Sequence, residues 1–197
     1  RATVEDVQAV GRLLHGCEKP YLHIFLPSSE QFLRGVLKRG PAECLTLVRD
    51  CLSAAREVLQ SSAAARLQFS FGEVADAERA FLVEAAAAAA EAGAHVVNLA
   101  DTHGCLHPAE VRELIAAVGA GVGSAREIRL GVHCHNDLGL ATANCLAGIE
   151  AGARHVTMSE EDIKRSFPSN PTCPLAERIA DKVFSSIQQT SPLIGLD

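Results

Sequence analysis

The segment Glu91-Ala92-Gly93-Ala94-His95-Val96 returns later in the chain as Glu150-Ala151-Gly152-Ala153-Arg154-His155-Val156. In both copies a helical pattern stops at a glycine and a β-favouring run starts at once. No other feature constrains the fold as much. A helix that hands directly to a strand, twice in the same words, is the joint of a repeating βα unit. The strands so predicted cover Tyr21 to Leu26, Arg66 to Phe71, His95 to Ala100, Ile128 to His133 and Arg154 to Met158. Most lie about 30 residues apart, the length of one such unit.

The intervening segments carry helical spacing. Thr3 to His15 has Thr3 as a cap and Val7, Val10, Leu13 and Leu14 as an apolar stripe. A short helix is expected from Glu30 to Lys38. Pro41 opens a longer one with Glu43 in its first turn and Leu45, Val48, Leu52, Ala55 and Leu59 on one face. Asp76 is expected to cap an alanine-rich helix that runs to Glu91. Pro108 starts another, with Val111, Leu114, Ile115 and Val118 together and a loop over Gly119 to Gly123. The next helix spans Leu138 to Glu150.

Each predicted strand ends in polar residues: His23 with Ser28, Ser70 with Glu73, Asp101 with Thr102, His133 with His135, and Ser159 with Glu160. Parallel sheets put their ligands beyond the carboxyl ends of their strands. Neither a GxGxxG turn nor a P-loop is present, so a doubly wound nucleotide fold is disfavoured. The expected class is α/β, a partial TIM (β/α)8 barrel of about five βα units. A full barrel takes roughly 250 residues and this chain has 197, so the first strands are expected to be missing. Residues 1–158 form the barrel portion in this reading. Residues 159–197 read as a divergent charged and proline-containing loop followed by a final helix with Leu175, Ile179, Val183 and Ile187.

Charge narrows the partners. The formal net charge is -6 and only 4% of residues are aromatic, which argues against nucleic acid, since phosphate and base binding need basic and aromatic clusters. No apolar run approaches the ~20 residues of a membrane span. Seven cysteines, at positions 17, 44, 51, 105, 134, 145 and 173, include no CxxC pair. Free thiols in a reducing compartment, cytoplasm or organelle matrix, fit that pattern better than a secreted disulfide framework.

The densest chemistry is His133-Cys134-His135-Asn136-Asp137. Residues two apart on a strand point the same way, so the two imidazoles project together and can share one divalent metal. The alternative is two separately hydrogen-bonded histidines at a packed strand end.

The run Leu130-Gly131-Val132-His133-Cys134-His135-Asn136-Asp137-Leu138-Gly139-Leu140-Ala141-Thr142-Ala143-Asn144 closely resembles a signature of the 2-isopropylmalate synthase and homocitrate synthase family. That family is a group of metal-dependent TIM barrels. Arg1-Ala2-Thr3-Val4-Glu5-Asp6, Leu22-His23-Ile24-Phe25, Phe69-Ser70 and Val97-Asn98-Leu99-Ala100-Asp101-Thr102-His103-Gly104 resemble further strand ends and connections of the family. Cys134 and Leu138-Gly139-Leu140-Ala141 look most like the isopropylmalate type.

The resemblance implies an acyltransferase that condenses acetyl-CoA with a 2-oxo acid, here 3-methyl-2-oxobutanoate in the first step of leucine biosynthesis. It implies His133 and His135 as metal ligands, for Mg²⁺ or Mn²⁺ with Zn²⁺ as the other candidate. His23 matches a substrate-pocket histidine that donates to the oxo acid or shuttles a proton. Thr102 matches a holder of the oxo-acid carboxylate. Glu73 stands one position away from the family's catalytic acid, and its alternative is a surface turn carboxylate. Asn136 and Asp137 are expected to brace the ligands or the strand end. Intact members are expected to be homodimers. The family's Arg-Asp-Gly strand and its Gly-Glu-Arg-x-Gly-Asn loop have no counterpart in this chain. Two other readings therefore stay open: a silent shortened relative acting in binding or subunit association, and a homocitrate synthase, citramalate synthase or hydroxymethylglutaryl-CoA lyase-like enzyme.

Overall fold

A computed structural model describes residues 1–60, 62–123 and 128–157. The expected loop and helix over 159–197, and the end of the last strand at Met158, lie outside the described residues. Five strands form one parallel sheet: β1 (Tyr21–Pro27), β2 (Arg66–Gly72), β3 (Val96–Asp101), β4 (Arg129–Cys134) and β5 (His155–Thr157). Their spatial order is their chain order, β1-β2-β3-β4-β5. A doubly wound sheet would reverse direction at a switch point, whereas a barrel adds each strand beside the last. The unbroken order makes this an arc of a TIM barrel.

Among the described residues, five α-helices accompany the strands: α1 (Val4–Leu13), α2 (Pro41–Val58), α3 (Arg79–Glu91), α4 (Pro108–Val122) and α5 (Ala141–Glu150). Among the described residues, no helix is long and apolar enough to cross a membrane. The repeated joint has one geometry in both copies. Gly93 and Gly152 take φ of +103° and +112°. Ala94 N–H donates to Ala89 O at 3.0 Å and Ala153 N–H to Gly148 O at 2.9 Å, while each glycine N–H bonds the carbonyl three residues back. These paired bonds close the last turn and need a left-handed residue, which glycine adopts without strain.

The helix-facing side of the sheet is the core. Leu22, Ile24, Phe69, Phe71, Val97, Leu99 and Val132 are buried against Val48, Leu52, Leu82, Ala85, Ala89, Ile115 and Val118. β1 shows the alternation most plainly, with Leu22, Ile24 and Leu26 buried and Tyr21, His23 and Phe25 on the open inner side. Small residues in the helices let them sit close to the sheet and to one another. Among the described residues the cysteines are free, with Cys44, Cys51, Cys134 and Cys145 buried in this layer.

Several local expectations are corrected. Asp76 does not cap α3; it ends a short 3₁₀ turn, Val74–Asp76, and the helix begins at Arg79. Its carboxylate instead meets His103 Nδ1 at 2.9 Å. Gly119 to Gly123 is not a loop, because α4 runs on to Val122. Val118 is buried, and a Cβ on Gly121 would stand 2.2 Å from Val83 Cγ1. That glycine is a packing residue where α3 and α4 touch. Residues Phe32–Val36 form one π-helical turn in place of a short α-helix, and α5 starts at Ala141, three residues later than expected. On α1, Val7 is buried as expected, but Val10 and Leu13 are exposed and Gly11 is buried instead. α1 meets α2 through Gly11, where an added Cβ would lie 2.1 Å from Val58 Cγ2, and this contact rotates the expected stripe partly outward.

Candidate active site

The strand ends carry the chemistry. On β4, the pleat sends His133 to the inner side while Cys134 stays buried against the helices. His135 lies just beyond, and its backbone N–H donates to Asp101 O at 3.3 Å, which ties the end of β4 to the end of β3. The two imidazoles converge: Nε2 of His133 and Nε2 of His135 are 3.1 Å apart, with ring planes at 67°. Two nitrogens at ~2.1 Å from one ion and at right angles to each other would be ~3.0 Å apart. The pair therefore fits two adjacent positions of a divalent metal. Among the described residues, no group of three or more His, Cys, Asp and Glu is placed to hold an ion.

The turn after β4 is held by its own side chains. Asn136 Oδ1 accepts from Ala141 N–H at 3.0 Å, and this bond sets the start of α5. Asp137 is exposed and lies over Gly104, where a Cβ would come within 2.5 Å of Asp137 Oδ2. Asn144, fully buried on α5, reaches back with Nδ2 to Leu106 O at 2.7 Å. Asp101 is buried at 2% exposure and accepts from Cys105 N–H at 3.2 Å and Leu106 N–H at 3.1 Å. The loops after β3 and β4 are thus one braced unit. Sequence reading placed Asp101 at a strand end and gave Asn144 no role; both are the buttresses of the histidine pair.

Beside this unit, Glu73 and Thr102 come together. Glu73 follows β2 in a left-handed conformation, φ +56°, and is half-buried. Its N–H donates to Thr102 Oγ1 at 3.0 Å, and its Oε2 accepts from the hydroxyl of buried Ser29. Glu73 is thus a half-buried turn carboxylate whose main chain and side chain both have partners. Ser29 was missed, because a serine two residues past a strand carries no distinctive pattern.

His23 sits one step lower on the inner side. Its Nε2 lies 2.6 Å from Ser70 Oγ, and Gln68 Nε2 and Asn98 Nδ2 approach the same hydroxyl at 3.0 and 3.2 Å. Tyr21 O–H donates to Gln68 Oε1 at 2.6 Å. Packing around the ring, and then the charge of His133, hold the His23 pKa below the usual histidine value, even though the side chain reaches solvent. His155 on β5 is lowered too, by burial first and then by Arg129 and His23. Gln68, Ser70 and Asn98 are all nearly fully buried. Gln68 and Ser70 alternate with Leu67, Phe69 and Phe71 along β2, which is a sequence sign that the inner side is polar.

The HMGL-like family matches residues 1–160. The chain belongs to the HMGL-like family. Within it, the chain is 38% identical over 161 residues to the 2-isopropylmalate synthase of Solidesulfovibrio magneticus, covering 81% of this chain and 30% of that protein. It is 36% identical over 156 residues to the 2-isopropylmalate synthase of Listeria monocytogenes, covering 79% and 30%. The chain thus spans under a third of the length of these curated relatives. Among solved HMGL-like folds, the hydroxymethylglutaryl-CoA lyase of Brucella melitensis superposes with a TM-score of 0.63 at 17% identity, over 93% of this chain and 67% of that one. The lyase of Pseudomonas aeruginosa gives 0.59 at 24% identity, over 77% and 49%. The structural likenesses show the barrel fold, and the sequence likenesses are to 2-isopropylmalate synthases over the part they share with this chain.

Proposed function

We propose that this chain is part of the catalytic barrel of a 2-isopropylmalate synthase-type acyltransferase, joining acetyl-CoA to 3-methyl-2-oxobutanoate for leucine biosynthesis. The observation that carries the reading is the convergence of His133 and His135, Nε2 to Nε2 at 3.1 Å, at the carboxyl end of β4. Residues 1–158 form the catalytic portion, in a reducing cytoplasm, and the intact protein works as a homodimer.

His133 and His135 would hold a divalent ion, Mg²⁺ or Mn²⁺ in preference to Zn²⁺, if oxygen donors completed the site. Such an ion, when bound, supplies Lewis-acid polarisation of a ketone and compensation of developing negative charge. The condensation takes a proton from the acetyl methyl, forms a carbon–carbon bond to the ketone carbon and returns a proton to the resulting oxygen. Water then cleaves the thioester and releases CoA as a thiol. Glu73 is the candidate for the proton transfers, gripped by Ser29 and by Thr102. Thr102 Oγ1 accepts from Glu73 N–H, and among the described residues its own proton has only a long 3.5 Å contact to Ala100 O. That proton is available to an oxo-acid carboxylate. His23 faces the same space and donates to the oxo acid or moves a proton. Asn136 and Asp137 keep the strand end and the ligands in place.

The test mixes the protein with acetyl-CoA, 3-methyl-2-oxobutanoate and Mn²⁺ and follows free thiol. Thiol release above that of a His133→Ala, His135→Ala double variant supports the reading. Mn²⁺ binding without thiol release would instead make this chain a metal-holding relative acting in binding or subunit association.

A further inference from the structure

The hydroxyl of Ser70 is the hub of the inner side of the sheet. A serine oxygen has two lone pairs and one proton. Gln68 Nε2 and Asn98 Nδ2, both amide donors, approach it at 3.0 and 3.2 Å, and His23 Nε2 approaches it at 2.6 Å. If both amides donate, the lone pairs are spent and the serine proton has one remaining partner, His23 Nε2.

The amide orientations follow from their other contacts. Gln68 Oε1 is 2.6 Å from Tyr21 Oη, which is short for N–H···O and ordinary for O–H···O. Tyrosine is therefore the donor, Gln68 Oε1 faces it, and Gln68 Nε2 faces Ser70. Asn98 is 3% exposed, and its Oδ1 has no hydrogen-bond partner among the described residues. Turning the amide over would bury an unpartnered NH₂ in place of an unpartnered carbonyl. Orphaned donors are the rarer and costlier case.

We propose that Ser70 is a positioning residue which, with Gln68 and Asn98, locks His23 as the neutral tautomer protonated on Nδ1, so that His23 serves the reaction as a hydrogen-bond donor from Nδ1 and not as a base at Nε2. This rests on the synthase reading for its use, but the tautomer itself does not. Of the two roles open to His23, donation to the oxo acid and proton shuttling through Nε2, the network selects the first. Nδ1 has no hydrogen-bond partner among the described residues, so it is free to meet a substrate oxygen.

The experiment is long-range ¹H–¹⁵N correlation of the histidine rings in ¹⁵N-labelled protein near pH 8, with the His23 signals assigned by their loss in His23→Gln. The expected result is one tautomer, with Nε2 unprotonated and Nδ1 protonated. Ser70→Ala should return His23 to the exchanging mixture of a free histidine, and Ser70→Thr should restore the lock. Gln68→Glu replaces a donor to Ser70 with an acceptor; the serine proton should turn to the carboxylate, and the imidazole proton should move to Nε2. A protonated Nε2 in the unaltered protein overturns the inference. So does a His23 tautomer unmoved by Ser70→Ala or by Gln68→Glu, with circular dichroism showing either variant folded. If thiol release fails while the lock is observed, the synthase reading falls and the positioning role of Ser70 stands; the reverse result separates them the other way.

Discussion

His133 and His135 present their Nε2 atoms to each other at 3.1 Å across a 67° angle between rings. Two imidazole nitrogens at that separation can take adjacent positions on one metal ion. Removing either ring should therefore lower Mn²⁺ affinity by ~100-fold or more, since even outer-sphere partners of metal ligands cost 10–100-fold. Isothermal titration calorimetry of His133→Ala and His135→Ala checks this. Equal Mn²⁺ affinity in the variants and the unaltered protein would sink the metal reading.

Asp101 is a buttress of the loops after β3 and β4. Its two oxygens accept from Cys105 N–H and Leu106 N–H, and its carbonyl accepts from His135 N–H. Asp101→Asn turns one acceptor into a donor that faces a backbone donor. The expected cost is about 1–3 kcal/mol of stability, read as a lower urea midpoint, with faster amide exchange at Cys105 and Leu106.

Gly148 decides how closely α5 lies on β4. An added Cβ would stand 2.7 Å from Val132 Cγ1 and 3.2 Å from Cγ2. Replacing a helical glycine with alanine gains roughly 1 kcal/mol of helix propensity. Overpacking costs ~1–3 kcal/mol, and Val132 has little rotamer freedom to give way. The clash should win, so Gly148→Ala is expected to lower the thermal midpoint in spite of its better propensity.

Acid should weaken the fold through His95. Its Nδ1 accepts from Leu67 N–H at 3.1 Å, so that nitrogen must be unprotonated. Burial, and then the charge of Arg66, hold its pKa below the usual value of 6.5. The unfolded chain therefore binds the proton more readily than the folded one, and stability rises with pH in this range. The contribution is complete above about pH 6.5 and is lost as pH falls from there through the lower folded pKa. His95→Asn, which keeps an acceptor without the titration, should flatten the slope of urea stability against pH below 6.5. An unchanged slope would remove His95 from the account.

Much of the fold was legible because it is local. The glycine joints at Gly93 and Gly152, the capping threonine Thr3, whose Oγ1 accepts from Asp6 N–H at 3.2 Å, and the prolines that open α2 and α4 act within a few residues of themselves. So does the two-residue pleat that sends His133 and His135 one way. The errors came where a distant side chain had the deciding vote. Asp76 left its capping role for His103, Gly121 served a neighbouring helix, and Gly11 turned α1 onto Val58.

The sequence by itself determined the βα repeat, the parallel class and the pair of imidazoles, because periodicity and turn chemistry are written in neighbouring residues. Only the tertiary structure decided what surrounds that pair. Ser29 on Glu73, Asn144 on the loop after β3, and Gln68 and Asn98 on Ser70 are contacts between strands and loops many residues apart, except for the step from Gln68 to Ser70 along β2. Their partners are chosen by strand register and by the demand that buried polar groups be satisfied, and no run of adjacent letters encodes that choice.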